Sequence, residues 1–161
     1  MAWADAATWV ASTPVSTLMR SNLWLYPIVE IFHILGFVVL VGGVSLFDVR
    51  VLGFAGTLPV DTLGRHLLPW SVASLGLVVP AGLLMLSADP HSLLANQVFQ
   101  LKLSLIGLAG VNALLFHIGI YRTVASWNVG VTAPPAARLQ AIVSLLLWVA
   151  IISCGRLLAY V

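Results

Sequence analysis

Four apolar runs, each long enough to cross a bilayer, constrain this chain more than any other feature. They cover about Leu23–Phe47, 63–87, Val98–Tyr121 and Ala136–Tyr160. A helix rises ~1.5 Å per residue, so about 20 residues span a hydrocarbon layer ~30 Å thick. The connections are short: VRVLGFAGTLPVDTLGR, SADPHSLLANQ and YRTVASWNVGVTAPP. Short loops force neighbouring helices to run antiparallel. The expected fold is all-α, an integral membrane four-helix up-down bundle forming a single domain over 1–161. Composition excludes the alternatives. Of 161 residues, 61% are hydrophobic and 7% charged, against about 25% charged in a soluble domain. Seven Lys/Arg and five Asp/Glu cannot cover a water-facing surface, and such an apolar chain is not disordered. The length leaves no room for a separate soluble catalytic domain.

Residues 1–21 lack the basic start and the cleavage site of a signal peptide. Trp3, Val10 and Leu18 among small polar residues predict a short N-terminal interfacial helix. Pro69 and Pro80 lie inside the second run and predict a kink, and Pro134–Pro135 announce the fourth. The single cysteine, Cys154, excludes a disulfide framework and any cysteine-based zinc or iron–sulfur cluster, and its expected role is packing. The net charge of +2 comes without any basic block, so nucleic acid is not an expected partner.

The placement of Lys and Arg predicts the orientation. Arg50, Arg65, Arg122 and Arg138 lie on one side, called side B. Arg20 lies on the opposite side A, where both chain ends fall, with Lys102 and Arg156 slightly inside the membrane. Side B is then cytoplasmic. The expected setting is a bacterial inner (cytoplasmic) membrane with periplasmic termini.

Ionisable groups at membrane depth are costly and raise functional questions. His66 and His117 fall at similar depths on neighbouring antiparallel helices, roughly 6–7 Å inside side B. Such a pair could hold a haem iron across a bundle interior, with Arg65, Arg122 and Arg138 near enough to meet haem propionates. Ala113, Gly110 and Ile106 share the His117 face and leave a groove, for a macrocycle or for a packed helix. The alternative for both histidines is an interfacial role, bonded to loop carbonyls. His33 lies roughly 14 Å inside side A, one turn after Glu30. Glu-x-x-His is a unit of di-iron bundles, but those need two such units and further carboxylates, which this chain lacks. Glu30, His33, Lys102 and Arg156 could instead form an ion-pair cluster, a proton relay, or a grip for a quinone carbonyl or a propionate. His33 could equally be a core histidine satisfied by a neighbouring group. His91, on the side-A loop, could pair with His33 around a second haem. Asp48 and Arg50 are expected to satisfy loop groups at the end of the first span, and Asn112 to bond across helices.

The segments LYPIVEIFHILGFVVLVGGVSLFDVRVLGF, RHLLPW, FQLKLSLIGLAGVNALLFH and SLLLWVAIISCGRLLAY resemble a family of short four-helix bacterial inner-membrane proteins known as a domain of unknown function. The resemblance covers nearly the whole chain. Its specific pieces are Glu30, His33, Asp48, Arg50, Leu68–Pro69–Trp70, Lys102, Asn112, His117, Trp148, Gly155 and Arg156, and His66 stands outside it. It implies the four-helix fold, no particular activity, and separate roles for His33 and His117. In general style the chain is also similar to small membrane b-type cytochromes and to copper-resistance membrane proteins.

Three functions compete. The first is a haem b electron-transfer protein or the membrane subunit of a redox complex, with a redox partner subunit and optionally a quinone. Its preferred metal ligands are His66 and His117, with His33 as a further candidate. The second is a metal-ion or proton transporter along Glu30, His33, Asn112 and His117, which would need a homo-oligomer to enclose a path. The third is a structural or assembly subunit. No hydrolase triad, phosphate loop or carboxylate pair can be assembled, so an enzyme acting alone is not expected.

Overall fold

The structure is a computed structural model that describes residues 2–160, with side chains from residue 5 onward. The expected interfacial residue Trp3 therefore lies outside the described side chains. The elements are α1 (Ala2–Ala11), α2 (Pro14–Ser21), α3 (Leu25–Val51), α4 (Val60–Ala88), α5 (Pro90–Ala95), α6 (Gln97–Ile118), a 3-10 helix (Ile120–Ser126) and α7 (Pro135–Leu157). Helices α3, α4, α6 and α7 are each long and apolar enough to cross a membrane. The protein is thus an all-helical, multi-pass membrane bundle.

Local chemistry places the helix ends. Thr13 accepts from the Ser16 amide at 3.3 Å and Pro14 opens α2. Asn96 Oδ1 accepts from the amides of Val98 and Phe99 at 2.8 and 3.3 Å, so α6 starts with two of its free N–H groups satisfied. That helix stops three residues before the expected end at Tyr121. A side chain on Gly119 would place its Cβ 2.8 Å from the Leu115 carbonyl, so the chain turns there and Tyr121 enters the 3-10 helix. Helix α3 runs four residues past its expected end at Phe47, because Asp48 and Arg50 both find buried positions.

The close pair is α3 with α4. Lipid removes any hydrophobic drive between membrane helices, so close backbone approach and dispersion must hold them. Gly36 and Gly43 provide that approach. A Cβ at Gly36 would fall 2.9 Å from Val78 Cγ2, and one at Gly43 would collide with the Ser71 hydroxyl. Helix α7 packs against the neighbouring flank of α3, and α6 packs against α7. Among the described residues α4 and α6 do not approach each other. On that side no α6 residue lines the α4 surface from Gly64 to Ala73, which leaves the bundle open there. Helices α3 and α6, whose backbones are likewise apart, meet through side chains, with the Phe47 and Phe116 rings edge to face at 5.7 Å.

Each end is tied down differently. At side B, Phe47, Val51, Val60, Phe116, Trp127 and Ala137 form a buried cluster. Beside it, the buried Arg50 guanidinium donates to the carbonyls of Leu58 (2.6 Å), Gly56 (3.1 Å) and Asn128 (3.0 Å). One side chain thereby staples the α3–α4 connection to the segment before α7. At side A, two short helices stand where one was expected. Ser16 donates to the Ser87 carbonyl at 2.6 Å, and Arg20 reaches the carbonyls of Ala11 (2.8 Å) and Ala88 (3.5 Å). Met19 packs on Val29 and Ala81. Trp9 and Leu18 stay outward, suited to the membrane interface.

Candidate intramembrane polar site

His33 is the ionisable residue most firmly built into the bundle. It faces α4, where Nδ1 donates to the Val78 carbonyl at 2.9 Å. Gly82 makes room for it, since a Cβ there would lie 3.2 Å from His33 Cε1. Pro80 sits between these two positions. Having no N–H, it releases the Gly76 carbonyl and loosens α4 locally. A carbonyl can only accept, so the proton is on Nδ1 and Nε2 keeps a free lone pair. The bond both fixes the ring and leaves its other nitrogen uncommitted.

Around His33, its own helix and α7 contribute an aromatic wall, and α6 contributes a cation. Its ring stacks on Phe37 at 6.4 Å, and Phe37 meets Trp148 of α7 edge to face at 5.9 Å. Lys102 of α6 is half-buried, with Nζ 3.6 Å from the position a Cβ would take on Gly155. Gly155 thus lets a long cationic side chain lie flat against α7. His33 is within Coulombic range of both Lys102 and Glu30. The expected ion-pair cluster of Glu30, Lys102 and Arg156 does not form among the described residues, where the only salt bridge is Arg65–Asp61 at 2.9 Å. Glu30 is exposed one turn nearer side A. Arg156 turns to Tyr160 instead, bonding its hydroxyl and lying 4.9 Å from its ring centroid. Lys102 is left at membrane depth without a carboxylate partner.

The other candidates are placed apart. His66 and His117 stand on the two spans that do not approach each other, and both are exposed. The Gly64 face of α4 points inward at Tyr121 and Phe47, which turns His66, about 200° further round the helix, outward. His117 Nδ1 donates to the Ala113 carbonyl of its own helix at 2.8 Å, beside the Tyr121 ring at 5.3 Å. His91 is exposed on α5, which does not touch α3. Arg65 is paired with Asp61, while Arg122 and Arg138 are exposed. Among the described residues no three His, Cys, Asp or Glu side chains gather as a metal site. Asn112 Nδ2 donates across to the Gln140 carbonyl at 3.0 Å, as expected of an interhelical bond. Arg50 satisfies loop carbonyls as expected. Asp48 does not, because it turns into the bundle, where its carboxyl group faces Ser144 of α7 and Oδ2 has no partner.

Sequence spacing puts Glu30 one turn before His33 on one helical face but does not reveal the aromatic wall. The signal was present: Phe37 follows His33 by four residues, which is one helical face. Comparison with protein-family models, curated proteins and solved structures finds no match for this chain.

Proposed function

We propose that this chain is the membrane subunit of a redox complex and that it binds a quinone head group at His33 and Lys102. One observation carries the reading. An uncommitted imidazole nitrogen, on a ring stacked against Phe37 and through it Trp148, and an unpaired ammonium lying against Gly155 are within electrostatic reach of each other at membrane depth. A quinone carbonyl accepts from an ammonium, and a quinol hydroxyl donates to an imidazole lone pair. The flat ring suits the aromatic wall. When a quinol is oxidised there, two electrons pass to a redox cofactor of a partner subunit and two protons leave. One goes from a hydroxyl to His33 Nε2 and on to Glu30 one turn towards side A, the other from the second hydroxyl to water at side A. The proposed setting is a bacterial inner membrane with side A periplasmic, from the arginine excess at side B.

Purified protein titrated with a short-tailed quinone is expected to show saturable quenching of tryptophan fluorescence, which Lys102→Met abolishes. The same variant separates a ligand-holding lysine from a structural one. An unpaired charge at membrane depth is a cost, so Lys102→Met should raise stability by about 1–2 kcal/mol in a denaturation series. Loss of stability would mean that the lysine serves packing, and unchanged quenching would remove it from the site.

A haem reading is favoured by one observation: the α4–α6 side is open, and a Cβ on Gly110, one face with His117, would meet nothing within 4 Å. A b-type absorption spectrum that disappears in His117→Ala would support it.

A further inference from the structure

The open side of the bundle carries a second site, independent of the quinone reading. A shallow, largely open groove of about 530 Å³ lies along the side-B half of α4. Gly64, Leu68, Pro69, Val72 and Ala73 line it as it winds about half-way round the helix, with Arg65 and Tyr121 at its polar end. From Gly64 to Ala73 it extends about 13 Å along the helix. It exists because no α6 residue covers this stretch of α4; the space over Gly64 itself is taken up by the Tyr121 hydroxyl.

Its polar end is suited to an anion. Arg65 spends one Nη2 contact on Asp61 and is otherwise exposed, so most of its five N–H donors remain available. Pro69 has no N–H, so the Arg65 carbonyl lacks its usual helical donor and can accept from a hydroxyl. Burial, and next the Asp61 charge, raise the Tyr121 phenol above its ordinary range, so it stays a neutral donor. Arg122 and Arg138 are exposed at the same side and outnumber Asp61. An apolar channel that ends in a guanidinium within a positive field matches a molecule with an acyl chain and an anionic head.

We propose that this groove binds an anionic phospholipid, with one acyl chain on Leu68, Val72 and Ala73 and its phosphate on Arg65 and the Tyr121 hydroxyl. A zwitterionic lipid carries no net charge for the arginines to select, and a free phosphate has no chain for the groove.

The test uses the full-length protein, delipidated in neutral detergent and titrated with phosphatidylglycerol or phosphatidylcholine, with retained lipid counted by native mass spectrometry. One phosphatidylglycerol per chain is expected, with phosphatidylcholine released. Arg65→Gln should weaken retention about five- to tenfold, near what one basic side chain is worth at an anionic surface. Ala73→Phe fills the exposed end of the groove and should displace the chain without disturbing the α3–α4 contact. Equal retention of both lipids, or retention indifferent to both substitutions, overturns the proposal. So does displacement by inorganic phosphate alone, a Soret band in the retained species, or a dimer that added lipid does not dissociate.

Discussion

Replacing Arg50 with Met is expected to destabilise the protein by about 4 kcal/mol. The reason is the position of the guanidinium. It is buried and donates to the carbonyls of Leu58, Gly56 and Asn128, which belong to two different connections. Hydrogen bonds from a charged donor contribute about 1.5–3 kcal/mol each. Without the guanidinium the Leu58 carbonyl loses this donor, and the Gly56 and Asn128 carbonyls keep only the amides of Gly130 and Val60. Asn128 also accepts from the Val60 amide and holds the Asp61 amide through Oδ1, so the start of α4 should loosen as well. Arg50→Lys keeps the charge but not the fork, and should recover less than half of the loss. Unfolding midpoints in a mild denaturing detergent series would measure both. A loss below about 1 kcal/mol for Arg50→Met would mean that water replaces the guanidinium freely.

His33→Phe is expected to reduce quinone affinity at least about tenfold, or about 1.4 kcal/mol, while lowering stability by only about 1 kcal/mol. The stability part is the lost bond to the Val78 carbonyl. The affinity part is the loss of Nε2, which the fold does not use. His33→Gln separates them further, since its amide can still donate to Val78 but offers no imidazole to take a proton. Retained binding with loss of proton-coupled turnover in the assembled complex is the expected pattern for Gln. Equal losses of stability and binding in both variants would mean that His33 only holds α3 to α4.

The spans were legible because hydropathy and length alone decide what can sit in hydrocarbon. All four appear within a few residues of their expected limits. The ends moved where a single residue outweighed the pattern, as Gly119 did for α6 and the buried Arg50 did for α3. The lateral arrangement was less legible. Apolar residues on a membrane helix face lipid as readily as protein, so hydropathy does not say that α4 and α6 stay apart. For that reason the matched depths of His66 and His117 carried no information about their separation. The glycines did carry it in retrospect. Gly36 and Gly43 mark the close α3–α4 seam, whereas a Cβ on Gly107 or Gly110 would meet nothing. His33 was recognisable from depth and from Glu30 one turn earlier. Its bond to Val78 depends on how Gly82 and Pro80 shape α4, which the separation in sequence conceals.

Photolabelling tests most directly whether a quinone head group sits at His33 and Lys102. The purified protein would be illuminated with a quinone carrying a photoreactive azido group, digested, and the labelled peptides sequenced by mass spectrometry. Label is expected on residues 26–37 of α3, around Lys102 of α6 and around Trp148 of α7, suppressed by excess unlabelled quinone and absent in Lys102→Met. Label spread evenly over the lipid-facing surface, or concentrated on residues 64–73 of α4, would contradict a quinone site at His33.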